Sequence, residues 1–279
     1  MKIKAYAKIN LGLNVKGKLE NGYHDLEMIM VPINFYDEIR IDVAEEMEFT
    51  SNKDYLLYNE ENTIYKAVEY LRAKYGFKEN FKIHVDKHIP TRAGLAGGSS
   101  DGAAVIKAIN QLLHLHMSDE ELKAAALAVG ADVYFCLISK PAKVTGIGDI
   151  VEPFECQSDF HILLVKPRTG VSTKDSFTNL RMNLCDHPDI DKLKLSLEQG
   201  DFDTLCQELG NSLEEPSFKL NREIARIKRR MLELGMDAAL MSGSGSTVFG
   251  LTKDEETVQF VSKVMKERGY FTRSVRILK

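Results

Sequence analysis

The stretch Pro90-Thr91-Arg92-Ala93-Gly94-Leu95-Ala96-Gly97-Gly98-Ser99-Ser100-Asp101 joins two segments of different hydrophobic period. Before it, Phe81, Ile83 and Val85 alternate as a strand that stops at Pro90. After it, Val105, Ile106, Ile109, Leu112 and Leu113 fall on one face of a helix over Asp101 to Leu113. A strand that enters a helix through three glycines and two serines has two readings. Ser or Asp caps the helix and the glycines are merely flexible, or the backbone approaches a bulky anion that the free N–H groups of the helix start attract. The direct run into an amphipathic helix favours phosphate.

The rest of the chain predicts a mixed architecture. Every odd position from Ile3 to Val15 is apolar, which reads as a half-buried strand with Lys8 and Asn10 on its polar face. Met28 to Val43 reads as one or two further strands, and Asn62 opens a helical pattern closed by Gly76. Ser118 and Glu121 form a capping-box signature for a helix ending near Gly130. Further on, a strand over His161 to Lys166, a helix ending at Gly235, a hairpin around Gly243, a helix over Asp254 to Arg268 and a last strand over Thr272 to Leu278 complete the pattern. Hairpins and helices without regular βαβ repetition indicate an α+β fold. Gly146, Gly148 and Pro153 mark the best boundary, dividing the chain into domains 1–152 and 153–279.

Length and charge narrow the function. A chain of 279 residues with 44% hydrophobic and 28% charged residues is neither disordered nor a disulfide-scaffolded miniprotein. A formal net charge of −4 argues against nucleic acid as partner. Cys136, Cys156, Cys185 and Cys206 show no CxxC spacing, and no apolar run approaches a membrane span, so a cytoplasmic protein with no membrane partner and no metal-ligating set is expected. His84 and His88 have helical ligand spacing inside a strand pattern, where they do not converge.

Two other phosphate-like motifs fail on context. Gly12 to Leu19 nearly fits a P-loop, but Leu19 stands at the hydroxyl position and a turn follows. Gly243-Ser244-Gly245 lies between two strand-like runs and reads as a hairpin turn. Taken singly, Asp132 reads as a surface residue, the next N-cap or a general base, Lys8 as a solvated lysine, and Tyr23, His24 and Phe177 as packing.

Together, however, Ala7-Lys8-Ile9-Asn10-Leu11, the Gly/Ser run and Met241-Ser242-Gly243-Ser244-Gly245-Ser246 resemble the three ordered motifs of the GHMP kinase superfamily. Gly22-Tyr23-His24, Gly130-Ala131-Asp132-Val133 and Asn211-Ser212-Leu213-Glu214-Glu215-Pro216 are similar to the branch that phosphorylates a cytidine diphosphate derivative of methylerythritol. The resemblance covers nearly the whole chain. It implies a ribosomal protein S5 domain 2-like N-terminal domain, a ferredoxin-like C-terminal domain and an active site in the cleft between them. It further implies transfer of the ATP γ-phosphate to the substrate's 2-hydroxyl, with Mg2+ accompanying ATP. By the same resemblance Asp132 is the general base assisted by Lys8. Asn62, Pro90, Thr91, Arg92, Ala93, Gly94, Leu95, Ala96, Gly97, Gly98, Ser99 and Ser100 bind ATP. Tyr23 and Phe177 sandwich the cytosine ring, His24 bonds its edge, and Asn10 and Thr173 contact the rest of the substrate. A monomer or weak homodimer is expected.

Three positions depart from the family pattern. Tyr134 stands where proline is usual and is expected to reshape the acceptor pocket, Gly102 replaces alanine and is expected to loosen the first turn of the phosphate-binding helix, and Ser212 varies its motif. The competing readings are a GHMP kinase for homoserine or mevalonate, for which an aromatic sandwich has no use, and a catalytically silent binding protein.

Overall fold

The alternation from Ile3 to Val15 forms β1 (Lys2–Lys18), and a turn around Gly22 leads into β2 (His24–Ala44), in a computed structural model that describes residues 1–279. Two compact units form, and each long strand contributes to both. The first contains Met1–Ala7, Phe35–Pro90 and Ala96–Ser139, and the second Lys8–Asn34, Thr91–Leu95 and Lys140–Lys279.

In the first unit, β3 (Glu48–Ser51), α1 (Thr63–Tyr75), β4 (Asn80–Asp86), α2 (Gly97–Leu112), α3 (Asp119–Val129) and α4 (Val133–Ile138) follow in order. β4 pairs antiparallel with the C-terminal half of β2, Ile39 opposite Val85, and parallel with β3. The side-chain oxygen of Asn62 caps α1, and Gly76 ends it in the left-handed region. Both halves of the Ser118 capping box form at α3. Phe81, Ile83 and Val85 of β4 meet Ile64, Val68 and Leu71 of α1 and Val105, Ile106 and Ile109 of α2 in one buried core. Each such side chain contributes roughly 1.5–3 kcal/mol of burial.

α2 starts at Gly97, four residues before the expected Asp101. Low glycine propensity hid its first turn from the pattern. The Gly12 to Lys18 part of the P-loop-like motif lies inside β1.

In the second unit the order is β5 (Ala142–Gly146), β6 (Ile150–Pro153), β7 (His161–Lys166), α5 (Thr173–Thr178), α6 (Ile190–Gln199), α7 (Phe202–Glu208), β8 (Gly210–Asn211), α8 (Glu214–Leu220), α9 (Arg222–Glu233), β9 (Ala238–Met241), β10 (Val248–Thr252), α10 (Glu255–Glu267) and β11 (Phe271–Val275). The Gly146/Gly148 cluster is the turn of the β5–β6 hairpin, and β5 pairs with Leu26–Met30 of β2. β8 runs parallel to β1 at Gly12 and Leu13.

A four-stranded antiparallel sheet has the order β11-β7-β10-β9, with α9 packed on β9 and β10 and α10 on β7 and β11. Taken as β7-α9-β9-β10-α10-β11, this is the ferredoxin-like arrangement implied by the motifs. Ile224, Ile227 and Met231 of α9 and Val258, Val261 and Met265 of α10 form its buried helical stripes. No helix is long and apolar enough to cross a membrane.

Candidate active site

The second unit pins the first half of the Gly/Ser run through its carbonyl groups. The Leu95 carbonyl accepts from Lys8 N at 3.1 Å, the Ala93 carbonyl from Thr247 N at 3.2 Å and the Arg92 carbonyl from Ser246 N at 3.4 Å. The Ser242 hydroxyl donates to the Gly94 carbonyl at 2.9 Å and accepts from Asn10 N at 3.3 Å. Arg92 and Gly94 both take positive φ, 49° and 73°. For the non-glycine Arg92 this is a strained conformation of the kind that clusters at ligand sites.

The Met241–Ser246 turn is itself held by buried side chains. Asn211 Nδ2 donates to the Met241 and Gly243 carbonyls at 2.7 and 2.8 Å, and Glu214 Oε1 accepts from Met241 N at 2.9 Å. Ser217 donates to the Ser244 carbonyl at 3.2 Å. The expected hairpin turn is therefore also the brace of residues 92–95.

Also in the second unit, Lys8 and Asn10 are 4% and 1% exposed, so the polar face of β1 is not a solvated one as its alternation suggested. The buried polar groups have partners instead: Lys8 Nζ donates to Asn10 Oδ1 at 2.6 Å, and Asn10 Nδ2 approaches Met28 Sδ at 3.4 Å. Thr173 and Ser244 share a hydroxyl contact at 2.8 Å. His24 stacks on Phe177 with ring centroids 4.8 Å apart and 26° between planes, while Tyr23 is 62% exposed. Burial and the Lys18 charge lower the His24 pKa, which keeps this imidazole neutral at neutral pH. The ring already against Phe177 is thus the imidazole, where the motif comparison led us to expect Tyr23 and Phe177 on opposite sides of a base.

The first unit holds the second half of the run. Ala96 occupies the N-cap position of α2 with φ 56° and supplies no capping side chain. Neither serine nor aspartate caps this helix, so the capping part of the structural reading does not hold. The Ser100 hydroxyl donates to the Tyr6 carbonyl at 2.5 Å, and Asp101 is buried on Lys87. Seven of the ten helices have a side-chain cap, so the bare start of α2 is a departure within this chain. Its first-turn N–H groups are the kind that bind anions.

Thr63 Oγ1 donates to the Gly98 carbonyl at 2.5 Å, linking α1 to this turn. Asn62 accepts from Ile64 N and donates to the Leu57 carbonyl at 2.7 Å, leaving its second amide N–H for a ligand.

Beneath α2 lies a network that the sequence pattern did not reveal. Lys87 Nζ is 2.5 Å from both Asp37 Oδ2 and Asp101 Oδ2, with all three residues buried. Asp37 Oδ1 accepts from His88 N at 2.5 Å and Ile89 N at 2.8 Å, which fixes the end of β4 where the run begins. Burial alone would lower the Lys87 pKa, but the two carboxylates outweigh it and raise it. Burial, aided by the Asp37 charge, pushes the Asp101 carboxyl up to about 7. A single lysine within a strand reads as solvated, so only the tertiary pairing could expose this cluster.

Asp132 stands at the N-cap position of α4, yet its backbone is helical and its side chain does not cap the helix. The capping alternative is thereby removed. Tyr134 packs against the first unit's core, with the Lys123 ammonium 5.3 Å from its ring centroid. Gly102 packs α2 against α1 and α3: a Cβ there would lie 3.1 Å from Thr63 Cβ and 3.2 Å from Val129 Cγ1. The helix is intact through this position despite the expected loosening. The Ser212 hydroxyl accepts from Val15 N at 3.0 Å and donates to the Asp186 carbonyl at 2.6 Å.

The chain matches two protein families, GHMP kinases N terminal domain over residues 62–140 and GHMP kinases C terminal over residues 193–270. It is 38% identical over 278 residues to 4-diphosphocytidyl-2-C-methyl-D-erythritol kinase of Bacillus cytotoxicus, covering 99% of this chain and 96% of the relative, and equally to that of Bacillus mycoides. A crystal structure of 4-(cytidine 5'-diphospho)-2C-methyl-D-erythritol kinase superposes with a TM-score of 0.84 at 28% identity, covering 100% of both chains. A homoserine kinase from Cytophaga hutchinsonii superposes with a TM-score of 0.78 at 19% identity over 99% of this chain and 94% of its own, a likeness of fold.

Proposed function

The chain belongs to the GHMP kinase family, and from that premise we propose that it transfers the γ-phosphate of ATP to the 2-hydroxyl of 4-diphosphocytidyl-2-C-methyl-D-erythritol, a step towards isoprenoid precursors. The observation that carries the substrate is the 38% identity, over 99% of the chain, to two relatives that bear this name. The uncapped start of α2 and the strained backbone at Arg92 and Ala96 support phosphate binding by residues 90–100. The sequence domains 1–152 and 153–279 remain part of the proposal, each containing one matched family segment.

In this reading Asp132 accepts the proton of the attacking hydroxyl. A positioned base of this kind supports phosphoryl transfer, which otherwise depends on alignment and charge. In the same reading Lys8 assists by offsetting charge that develops on the transferred group. Phe177, Tyr23 and His24 receive cytosine, Asn10 and Thr173 the remainder of the substrate, and Asn62 the adenine edge. The buried Asn10 N–H bond to Ser242 and the Thr173 hydroxyl contact with Ser244 support a preorganised surface there.

Mg2+ accompanies ATP and, when bound, neutralises phosphate charge. Phosphate oxygens and water are its principal ligands in this reading. The free cysteines support a cytoplasmic setting.

A coupled ADP-release assay with Mg-ATP tests the reading. Turnover of the cytidine compound with none of homoserine, mevalonate or galactose is expected. Turnover of one of those alcohols instead would keep the kinase family and overturn the substrate.

A further inference from the structure

In the second unit, Arg226, Ile227, Arg229, Arg230 and Glu233 of α9 line a cavity of about 420 Å³ together with Met265, Arg268 and Tyr270 from the end of α10 and the residues after it. That volume falls in the roughly 300–1,000 Å³ range of small-ligand sites. Four arginines and one glutamate are among its lining residues, in a chain whose formal net charge is −4.

The charges are poorly matched within the protein. The Glu233 carboxylate is shared, 3.1 Å from Arg230 and 3.7 Å from Arg229, and neither Arg226 nor Arg268 has a carboxylate partner. Arg230 Nε is buried with no hydrogen-bond partner. Arg226 and Arg268 lie close enough to Tyr270 to oppose the rise that burial and Glu223 impose on its hydroxyl pKa.

A solvated helix surface explains only part of this. The macrodipole favours a cation in the last turn of α9, which accounts for Arg230. The same effect at the end of α10 accounts for Arg268, which stands at its C-cap, but not for Arg226, a turn before Arg230. Four like charges around one concavity repel one another, and a bound polyanion relieves that repulsion. Guanidinium groups match phosphate oxygens in fork geometry. Four of them less one carboxylate suit a diphosphate better than a monophosphate, and Ile227 and Met265 supply an apolar floor.

We propose that this arginine-lined cavity binds a small molecule carrying a diphosphate group, at a place separate from the Gly/Ser run.

The test is calorimetric titration of the full-length chain with inorganic pyrophosphate, its Gly/Ser run saturated beforehand with a non-hydrolysable ATP analogue. One equivalent should bind. Replacing both Arg226→Gln and Arg268→Gln should weaken binding by about tenfold or more, as expected for lost charge-assisted hydrogen bonds, with kinase turnover unchanged. Glu233→Gln should tighten it severalfold by releasing Arg229 and Arg230. If the double glutamine variant melts early, Arg226→Lys with Arg268→Lys keeps the charge, and severalfold weaker binding is expected from the lost fork geometry. No binding with the ATP loop blocked, or unchanged affinity in the arginine variants, overturns the proposal. So does tighter binding of single-stranded RNA or phosphatidylglycerol vesicles through the same arginines.

Discussion

Ser242 and Gly94 are locked face to face. The Ser242 hydroxyl donates to the Gly94 carbonyl at 2.9 Å, and a Cβ on Gly94 would lie 2.0 Å from the Ser242 carbonyl oxygen. Two motifs 148 residues apart in sequence thus form one backbone surface, in which the Ser242 carbonyl fills the space a side chain at position 94 would need.

Gly94→Ala therefore combines two penalties, a left-handed backbone for alanine and a clash with main-chain atoms. The first costs about 1–2 kcal/mol, and the second forces residues 92–95 off their partners. Gly76→Ala is the control, because Gly76 has a similar φ of 69° with nothing within 4 Å of the added carbon. Thermal melts should show a larger loss for Gly94→Ala, and its KM for ATP should rise by about tenfold or more while that of Gly76→Ala stays at the wild-type value. Equal melting losses and equal KM would separate the Ser242 contact from nucleotide binding.

Asp132→Asn should lower kcat by about 10²–10⁴ if the carboxylate is the base. Asparagine keeps the size and shape of the side chain, so the melting temperature should fall by no more than the few degrees of a typical single substitution. Nucleotide affinity, measured by titration of a non-hydrolysable ATP analogue, should also persist. A variant with full kcat would remove Asp132 from the chemistry.

The aromatic pair gives a prediction about binding alone. Phe177→Ala should raise KM for the cytidine substrate by about fivefold or more, the scale of a lost base stack. Tyr23 is 62% exposed, so Tyr23→Ala should leave the melting temperature unchanged, and any rise in KM would report base contact directly. Unchanged KM in both variants would remove the sandwich.

The two helix ends at Asn62 and Ser118 were legible because caps and glycines act locally. The βαββαβ order was legible through its hydrophobic periods, and the family through motifs spread along the chain. What escaped was set by distant pairing. Lys87 gives no signal in the sequence until Asp37 and Asp101 are brought against it, the bracing role of the motif residue Asn211 emerges only when the Met241–Ser246 turn lies over it, and the first turn of α2 is hidden because glycine carries almost no local helical signal. Lys8 and Asn10 show the same limit, since alternation reports that a strand exists but not that its polar face is covered.

The Lys87 cluster yields a pH dependence with a definite sign. The Asp101 carboxyl is pushed up to about 7, from an ordinary 3.8, by burial and by the neighbouring Asp37 carboxylate, which shares its single lysine. Between about pH 4 and 7 the folded chain retains a proton that the unfolded chain has released, so stability from this group falls as pH rises through that window and is level above it. Asp101→Asn cannot titrate and resembles the protonated acid. Its urea midpoint, compared with wild type at pH 5 and pH 7.5, should shift in the variant's favour at the higher pH, by about 1–3 kcal/mol in unfolding free energy. Lys87→Met leaves two buried carboxylates without their cation and should cost about 3–5 kcal/mol near neutral pH, and less at pH 5, where Asp101 is protonated. A difference between wild type and Asp101→Asn that does not change with pH would mean that the carboxyl is ionised throughout the window, held by Lys87 alone.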